Sequence, residues 1–158
     1  MAGLLEGKAG IVTGAAGGIG RGIAIELARE GAYVLVSDLE PEAERAQETI
    51  ALCLQAGGEA AWQACDVTSA EAQDALVGDV LRTHGRLDFA VNNAGVAVHK
   101  PLTEVTDQEY SRVLDINLKG IFLGMRPQVR QMVEQGGGSI VNVASRLGQM
   151  GVPETAAY

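Results

Sequence analysis

The sequence predicts an α/β fold, a doubly wound parallel sheet with helices on both faces, and three observations carry that reading. Short runs rich in Val, Ile, Leu and Ala alternate with longer helical patterns along the whole chain, and such alternation builds parallel sheets. The short runs lack strict apolar–polar alternation, as expected of strands buried on both faces. A glycine-rich turn, Thr13 to Gly20, joins the first strand run to the first helix pattern. Together these describe a Rossmann-type sheet, truncated after its fifth strand. The chain has 158 residues, and one domain per about 150 residues is the norm, so residues 1–158 are read as a single domain.

Each element has its own local signals. The first strand is Ala9 to Thr13. The first helix places Ile19, Ile23, Ala24, Leu27 and Ala28 on one face and ends at Gly31. Ala32 to Val36 is the second strand. Pro41 opens a second helix with Ala46, Ile50, Cys53 and Leu54 inward, and Gly57-Gly58 ends it. The third strand covers Ala60 to Cys65. Thr68 or Ser69 caps a third helix that turns Ala72, Leu76, Val80 and Leu81 inward. Leu87 to Val91 is the fourth strand. A loop with Pro101 leads to a helix starting near Thr106-Asp107. A separate, longer helix is expected from Asn117 to Glu134, with Pro127 inside it as a potential kink. Gly136 to Gly138 stops that helix, and Ser139 to Val143 is the fifth strand. Right-handed crossovers then put the binding edge at the C-terminal ends of the strands.

Composition excludes several classes. The formal charge is −8, a surface that repels phosphate backbones, so no nucleic-acid partner is expected. No apolar run reaches the roughly 18 residues of a membrane span. Met1 to Lys8 has no basic leader followed by an apolar stretch. Cys53 and Cys65 form no CxxC pair and read as reduced core thiols, so the expected location is cytoplasmic. His84 and His99 are isolated, and no metal site is expected.

The glycine turn has a chemical reading. A pyrophosphate needs free backbone N–H groups at a helix N-terminus with no Cβ in the way. In Thr13-Gly14-Ala-Ala-Gly17-Gly18-Ile19-Gly20, Gly14 permits the turn and Gly18 the phosphate approach. Gly20 permits tight helix–strand packing, and Ile19 lies between the last two. A tight turn without a ligand is the alternative. Asp38 ends the second strand, 18 residues after Gly20, where an acid binds the ribose hydroxyls of an adenosine. A carboxylate there repels a 2′-phosphate. Gly17 and Leu39, the adjacent places for an offsetting base, are uncharged, so the expected cofactor is NAD in preference to NADP.

With Asn92-Asn-Ala-Gly95 directly after the fourth strand, the chain from Lys8 to Tyr158 resembles the short-chain dehydrogenase/reductase family. The resemblance rests on Thr13 to Gly20, Asp66-Val67, Asn92 to Gly95, Asn117, Ser145 and Tyr158, in that order and spacing. It implies that Asp66 and Val67 lie against the adenine. It implies also that Asn92, Ala94 and Gly95 pack beside the cofactor and brace the sheet. By the same resemblance Asn117 holds a water in a proton path, Ser145 polarises a carbonyl or holds an alcohol, and Tyr158 is the acid/base. Ser145 precedes Tyr158 by 13 residues, the family's spacing. A small carbonyl or alcohol substrate and a homodimer or homotetramer of the full-length chain are implied too.

The sequence departs from the family at one place. The family's tyrosine belongs to Y-x-x-x-K, and here the sequence ends at Tyr158. That lysine supplies a positive charge beside the phenol and holds the nicotinamide ribose, so alcohol oxidation, which needs a base, depends on it more than ketone reduction. The expectation is a fragment of a longer enzyme, and an apolar fifth-strand edge that makes these residues alone prone to aggregate. The leading function is an NAD-dependent oxidoreductase, or the N-terminal part of one. The alternative is a catalytically inactive NAD-binding module that lacks the lysine. A methyltransferase shares a glycine turn and an acid but has no need of Ser145 and Tyr158.

Overall fold

The structure is a computed structural model that describes residues 3–158; Met1 and Ala2, where the leader reading begins, lie outside the described residues. Strands β1 (Ala9–Thr13), β2 (Tyr33–Asp38), β3 (Glu59–Ala64), β4 (Phe89–Asn92) and β5 (Ser139–Asn142) form one sheet in the order β3-β2-β1-β4-β5. Every pairing is parallel. The helices are α1 (Gly18–Arg29), α2 (Ala43–Gln55), α3 (Ala70–His84), α4 (Asp107–Leu114) and α5 (Gly120–Glu134). This is the expected α/β, Rossmann-like architecture.

The core has two layers because successive strand residues point to opposite faces. On one face Val12, Val34, Val36 and Val91 pack with Ala24 and Ala28 of α1 and Ala46 and Cys53 of α2. On the other, Ile11, Leu35 and Ala90 pack with Leu76, Val77 and Val80 of α3 and Met132 of α5. Small alanines on α1 let that helix approach the sheet closely. Burial raises the Cys53 thiol to about 11. Burial, with Asp66 adding to it, raises the Cys65 thiol to about 12. Neither sulfur forms a disulfide.

Two local expectations need correction, and an open choice is settled. Apolar spacing puts Ile19 and Leu54 inward, but they are 69% and 53% exposed. The core face of α1 is filled by Gly20, Ala24 and Ala28, and that of α2 by Ala46, Thr49 and Cys53. The two helices expected either side of Asn117 are one continuous run. A π turn, Asp115–Lys119, joins α4 to α5, so Asn117 sits in a widened turn and starts no helix. Of the two candidate caps for α3, Ser69 takes the role: its Oγ accepts from the Ala72 N–H at 3.2 Å. Thr68 donates instead to Asp66 Oδ1 at 2.7 Å. Pro127 is buried within α5, which runs through it unbroken from Gly120 to Glu134.

The topology positions the site. The order reverses between β1 and β4: from β1 the chain winds outward through β2 to β3, then returns to β4 on the other side. Loops after β1 and β4 therefore diverge, and a crevice opens at the C-terminal ends of the strands.

Candidate active site

The crevice is a cleft of about 1350 Å³. Its first wall is the turn after β1. The Ala15 N–H donates to Ser37 O at 3.0 Å, and the Ala16 N–H donates to Asp38 Oδ2 at 3.0 Å. On the carbonyl side, Thr49 Oγ1 donates to Ala15 O at 3.0 Å and Arg21 Nη2 to Ala16 O at 2.6 Å. The N–H and C=O groups of both Ala15 and Ala16 are thus bonded within the protein, which braces the turn.

Directly after that turn, α1 begins without a cap. Its N-cap residue is Gly17, which has no side chain to cap with, whereas α3 and α4 are capped by Ser69 and Thr106. The first i→i−4 bond of α1 runs from the Arg21 N–H to Gly17 O at 3.1 Å. The N–H groups of Gly18, Ile19 and Gly20 precede it and are the orphan donors of a helix N-terminus. Gly14 has φ +64°, and a Cβ there would stand 2.8 Å from Ala94 Cα. A Cβ on Gly20 would strike Gly14 O and Asn93 Nδ2. Gly18, at φ +55°, has nothing within 4 Å of its Cβ position. Two glycines are therefore required by packing, and the third leaves open space above a row of N–H donors. That cradle fits the diphosphate of a dinucleotide.

The second wall is the loop after β4, bolted to the first through Asn93. Its Nδ2 donates to Thr13 O at 2.9 Å and to Gly14 O at 3.0 Å. Thr13 Oγ1 accepts from the N–H groups of Asn93 and Ala94 at 3.1 and 3.2 Å. Asn117, from the π turn, clamps the other end of this loop: its Oδ1 accepts from the Val96 N–H at 2.9 Å and its Nδ2 donates to Val96 O at 2.8 Å. Asn92 lies beneath the cleft. It is 4% exposed and forms a reciprocal amide pair with Gln128 at 3.1 and 2.9 Å. Its Nδ2 also donates to Asn142 Oδ1 at 2.8 Å, tying the end of β4 to the end of β5.

At one end of the cleft stands Asp38, whose Oδ1 accepts from the Leu39 N–H at 2.9 Å. Asp66, Val67 and Thr68 line the same end of the strand row, and Asp66 Oδ1 is held by the Thr68 N–H at 2.9 Å. Ser145 and Tyr158 line the cleft after β5. Ser145 Oγ accepts from the Leu147 N–H at 3.1 Å, which starts a short 3-10 turn. Tyr158 is 46% exposed and its N–H donates to Thr155 O at 3.1 Å.

Of the residues singled out in the sequence, Gly14, Ile19, Asp38, Asp66, Val67, Ala94, Gly95, Asn117, Ser145 and Tyr158 line one cleft. Gly18, Gly20 and Asn92 do not form its wall; Gly20 and Asn92 act from behind it. Three residues escape the sequence reading. Asn93 is legible as the second Asn of Asn92-Asn93, but nothing in the sequence says which of the two faces the turn. Gln128 gives no signal. Arg45 reaches from α2 to Gly17, where a Cβ would meet its Nη2. The sequence points only to Gly17 and Leu39 as places for a base near Asp38, because Arg45 comes close only when α2 folds back.

The chain matches the family model described as short chain dehydrogenase over residues 8–158. It is 39% identical over 153 residues to an uncharacterized oxidoreductase of Thermotoga maritima, covering 97% of this chain and 59% of that protein. It is 40% identical over 157 residues to a 3beta-hydroxysteroid dehydrogenase of Mediterraneibacter gnavus, covering 99% and 56%. A crystal structure of NAD+-bound xylitol dehydrogenase superposes with a TM-score of 0.92 at 39% identity, covering 98% of this chain and 59% of that one. The chain thus spans under three fifths of the length of these relatives.

Proposed function

The chain belongs to the short-chain dehydrogenase family, and on that premise we propose that it forms the cofactor-binding part of an oxidoreductase. The reaction moves hydride between NAD(H) and a carbonyl or secondary-alcohol carbon of a small substrate. The observation that carries this reading is that Asn117, Ser145 and Tyr158 open onto the cleft that also holds the uncapped start of α1 and Asp38.

The protein's residues divide the work. The N–H groups at the start of α1 would hold the diphosphate, Asp38 the adenosine ribose, and Asp66 and Val67 the adenine. When bound, the nicotinamide supplies or accepts the hydride. Ser145 Oγ donates a hydrogen bond to the substrate oxygen, which favours the carbonyl in its polarised form. Tyr158 exchanges one proton with that oxygen. Asn117 bonds both backbone groups of Val96 and so holds the loop that walls the cleft, with one N–H and one lone pair of its amide left to hold a water in a proton path. Asp38 favours NAD over NADP, because a carboxylate disfavours a second phosphate beside it.

The apolar residues Leu118, Phe122 and Val133 are 66%, 62% and 74% exposed along the α4–α5 run, which supports a homodimer or homotetramer of the full chain. Steady-state assays of the full chain with NAD+ and secondary alcohols, and with NADH and ketones, test the activity. Turnover lost in Tyr158→Phe, with NAD+ binding retained, is the expected result. NAD+ binding without turnover in any assay identifies the non-catalytic module instead.

A further inference from the structure

Arg45 is the third residue of α2, and its side chain returns to the glycine turn. Its Nη1 donates to Glu42 Oε2 at 2.6 Å. Its Nη2 lies where a Cβ of Gly17 would stand, with Cζ 3.3 Å from the same point. The glycine at position 17 leaves room for the guanidinium where it stands. Gly17, Asp38, Glu42 and Arg45 line one end of the cleft, the end where Asp38 marks the adenosine ribose.

The two charges at that end differ in freedom. Asp38 is pinned, with each carboxylate oxygen accepting a backbone N–H. Arg45 is tethered by one half-buried carboxylate, that of Glu42, and the side chains of Arg45 and Glu42 are 59% and 34% exposed. Exposed ion pairs are weak and exchange partners readily. A phosphate monoester offers a guanidinium two acceptor oxygens and more charge than a carboxylate. The acids Glu40, Glu44 and Glu48 on the same turn and helix oppose a phosphate, so a phosphate held there depends on Arg45; Arg21, the other base here, is committed to Thr49, Ala16, Arg45 O and Glu48.

We propose that Arg45 is a second cofactor-specificity residue, which leaves Glu42 to take the 2′-phosphate of NADP, so that Asp38 favours NAD, Arg45 opposes it, and the balance of the two sets the preference. This rests on the nucleotide reading of the cleft. Glu42 is the switch: it competes with the phosphate for the same guanidinium.

Isothermal titration of the full chain with NAD+ and with NADP+, at low ionic strength, gives the ratio of the two dissociation constants. Arg45→Ala is expected to shift that ratio about tenfold further toward NAD+, the scale of one lost charge-assisted bond. Glu42→Gln, which removes the competitor and keeps the shape, is expected to shift it several-fold toward NADP+. Both shifts shrink in high salt. A ratio unmoved in both variants, with NAD+ still binding, overturns the role of Arg45 and leaves the nucleotide reading intact. Failure of the unmodified chain to bind either nucleotide overturns that reading and this proposal with it. Should Arg45→Ala fail to fold, Glu42→Gln alone decides.

Discussion

Replacing Gly14 by alanine tests the geometry of the turn directly. The residue has φ +64°, and the new Cβ would lie 2.8 Å from Ala94 Cα, 3.0 Å from Ala94 N and 3.0 Å from Asn93 Nδ2. The left-handed conformation costs an L-residue about 1–2 kcal/mol. The clash is with backbone at the end of β4 and with the Asn93 amide that bolts the two loops, so neither neighbour can rotate away. Overpacking of that kind costs about 1–3 kcal/mol. Reduced freedom of the unfolded chain returns about 0.4–1 kcal/mol. The net loss is about 1–4.5 kcal/mol, which at about 2–4 °C per kcal/mol lowers the melting temperature of a domain this size by roughly 2–18 °C. Thermal unfolding of the full chain by circular dichroism measures it. Gly22→Ala is the internal control. Gly22 lies within α1 with nothing within 4 Å of its Cβ position, so alanine there should stabilise by about 0.5–1 kcal/mol. A Gly14→Ala protein that melts within a degree of the unmodified chain, while Gly22→Ala behaves as expected, would falsify the claim that close approach of the β4 loop demands this glycine.

Gly18→Ala meets no neighbour, so its loss of stability by urea unfolding should stay near the conformational cost of about 1–2 kcal/mol, below that of Gly14→Ala. At Asp88, burial pushes the carboxyl pKa up, but bonds from Arg86, the Ala9 N–H and Lys8 outweigh it, and the net shift is downward. A depressed carboxyl pKa stabilises the fold above the ordinary carboxylate range and loses that effect as pH falls through the depressed value. Asp88→Asn should therefore cost about 1.5–3 kcal/mol at pH 7 by urea unfolding, and the gap to the unmodified chain should narrow in acid; a gap constant with pH contradicts the assignment. Thr106 and Glu109 form a capping box at α4, and Thr106→Ala should cost about 1 kcal/mol. Bonds from Lys100 and the Thr106 N–H hold the Glu109 carboxyl down at about 2. Its contribution to the first turn of α4 is thus present above the ordinary carboxylate range and lost between there and about pH 2, which amide exchange at Gln108 to Ser111 would read.

Whatever depends on near neighbours in the chain was legible in the amino-acid order. Strand and helix succession, the glycine turn, the acid at the end of β2 and the spacing of Ser145 and Tyr158 are all written in short windows, because backbone conformation and capping act over a few residues. Features that need distant segments to meet were settled by packing. The exposure of Ile19 and Leu54 reflects which side of α1 and α2 faces the core, the side of Gly20, Ala24 and Ala28 and of Ala46, Thr49 and Cys53, not apolar spacing. The merging of two expected helices through the π turn at Asp115–Lys119 sets Asn117 against Val96, a contact between segments that no local pattern links. Asn92, Gln128 and Asn142 find one another only because β4, α5 and β5 pack together, and burial then obliges the amides of Asn92 and Gln128 to pair. Arg45 is the sharpest case. Its charge is plain in the sequence, but its place beside Gly17 exists only because α2 folds back along α1, and proximity is what turns a surface arginine into a neighbour of the cofactor cleft.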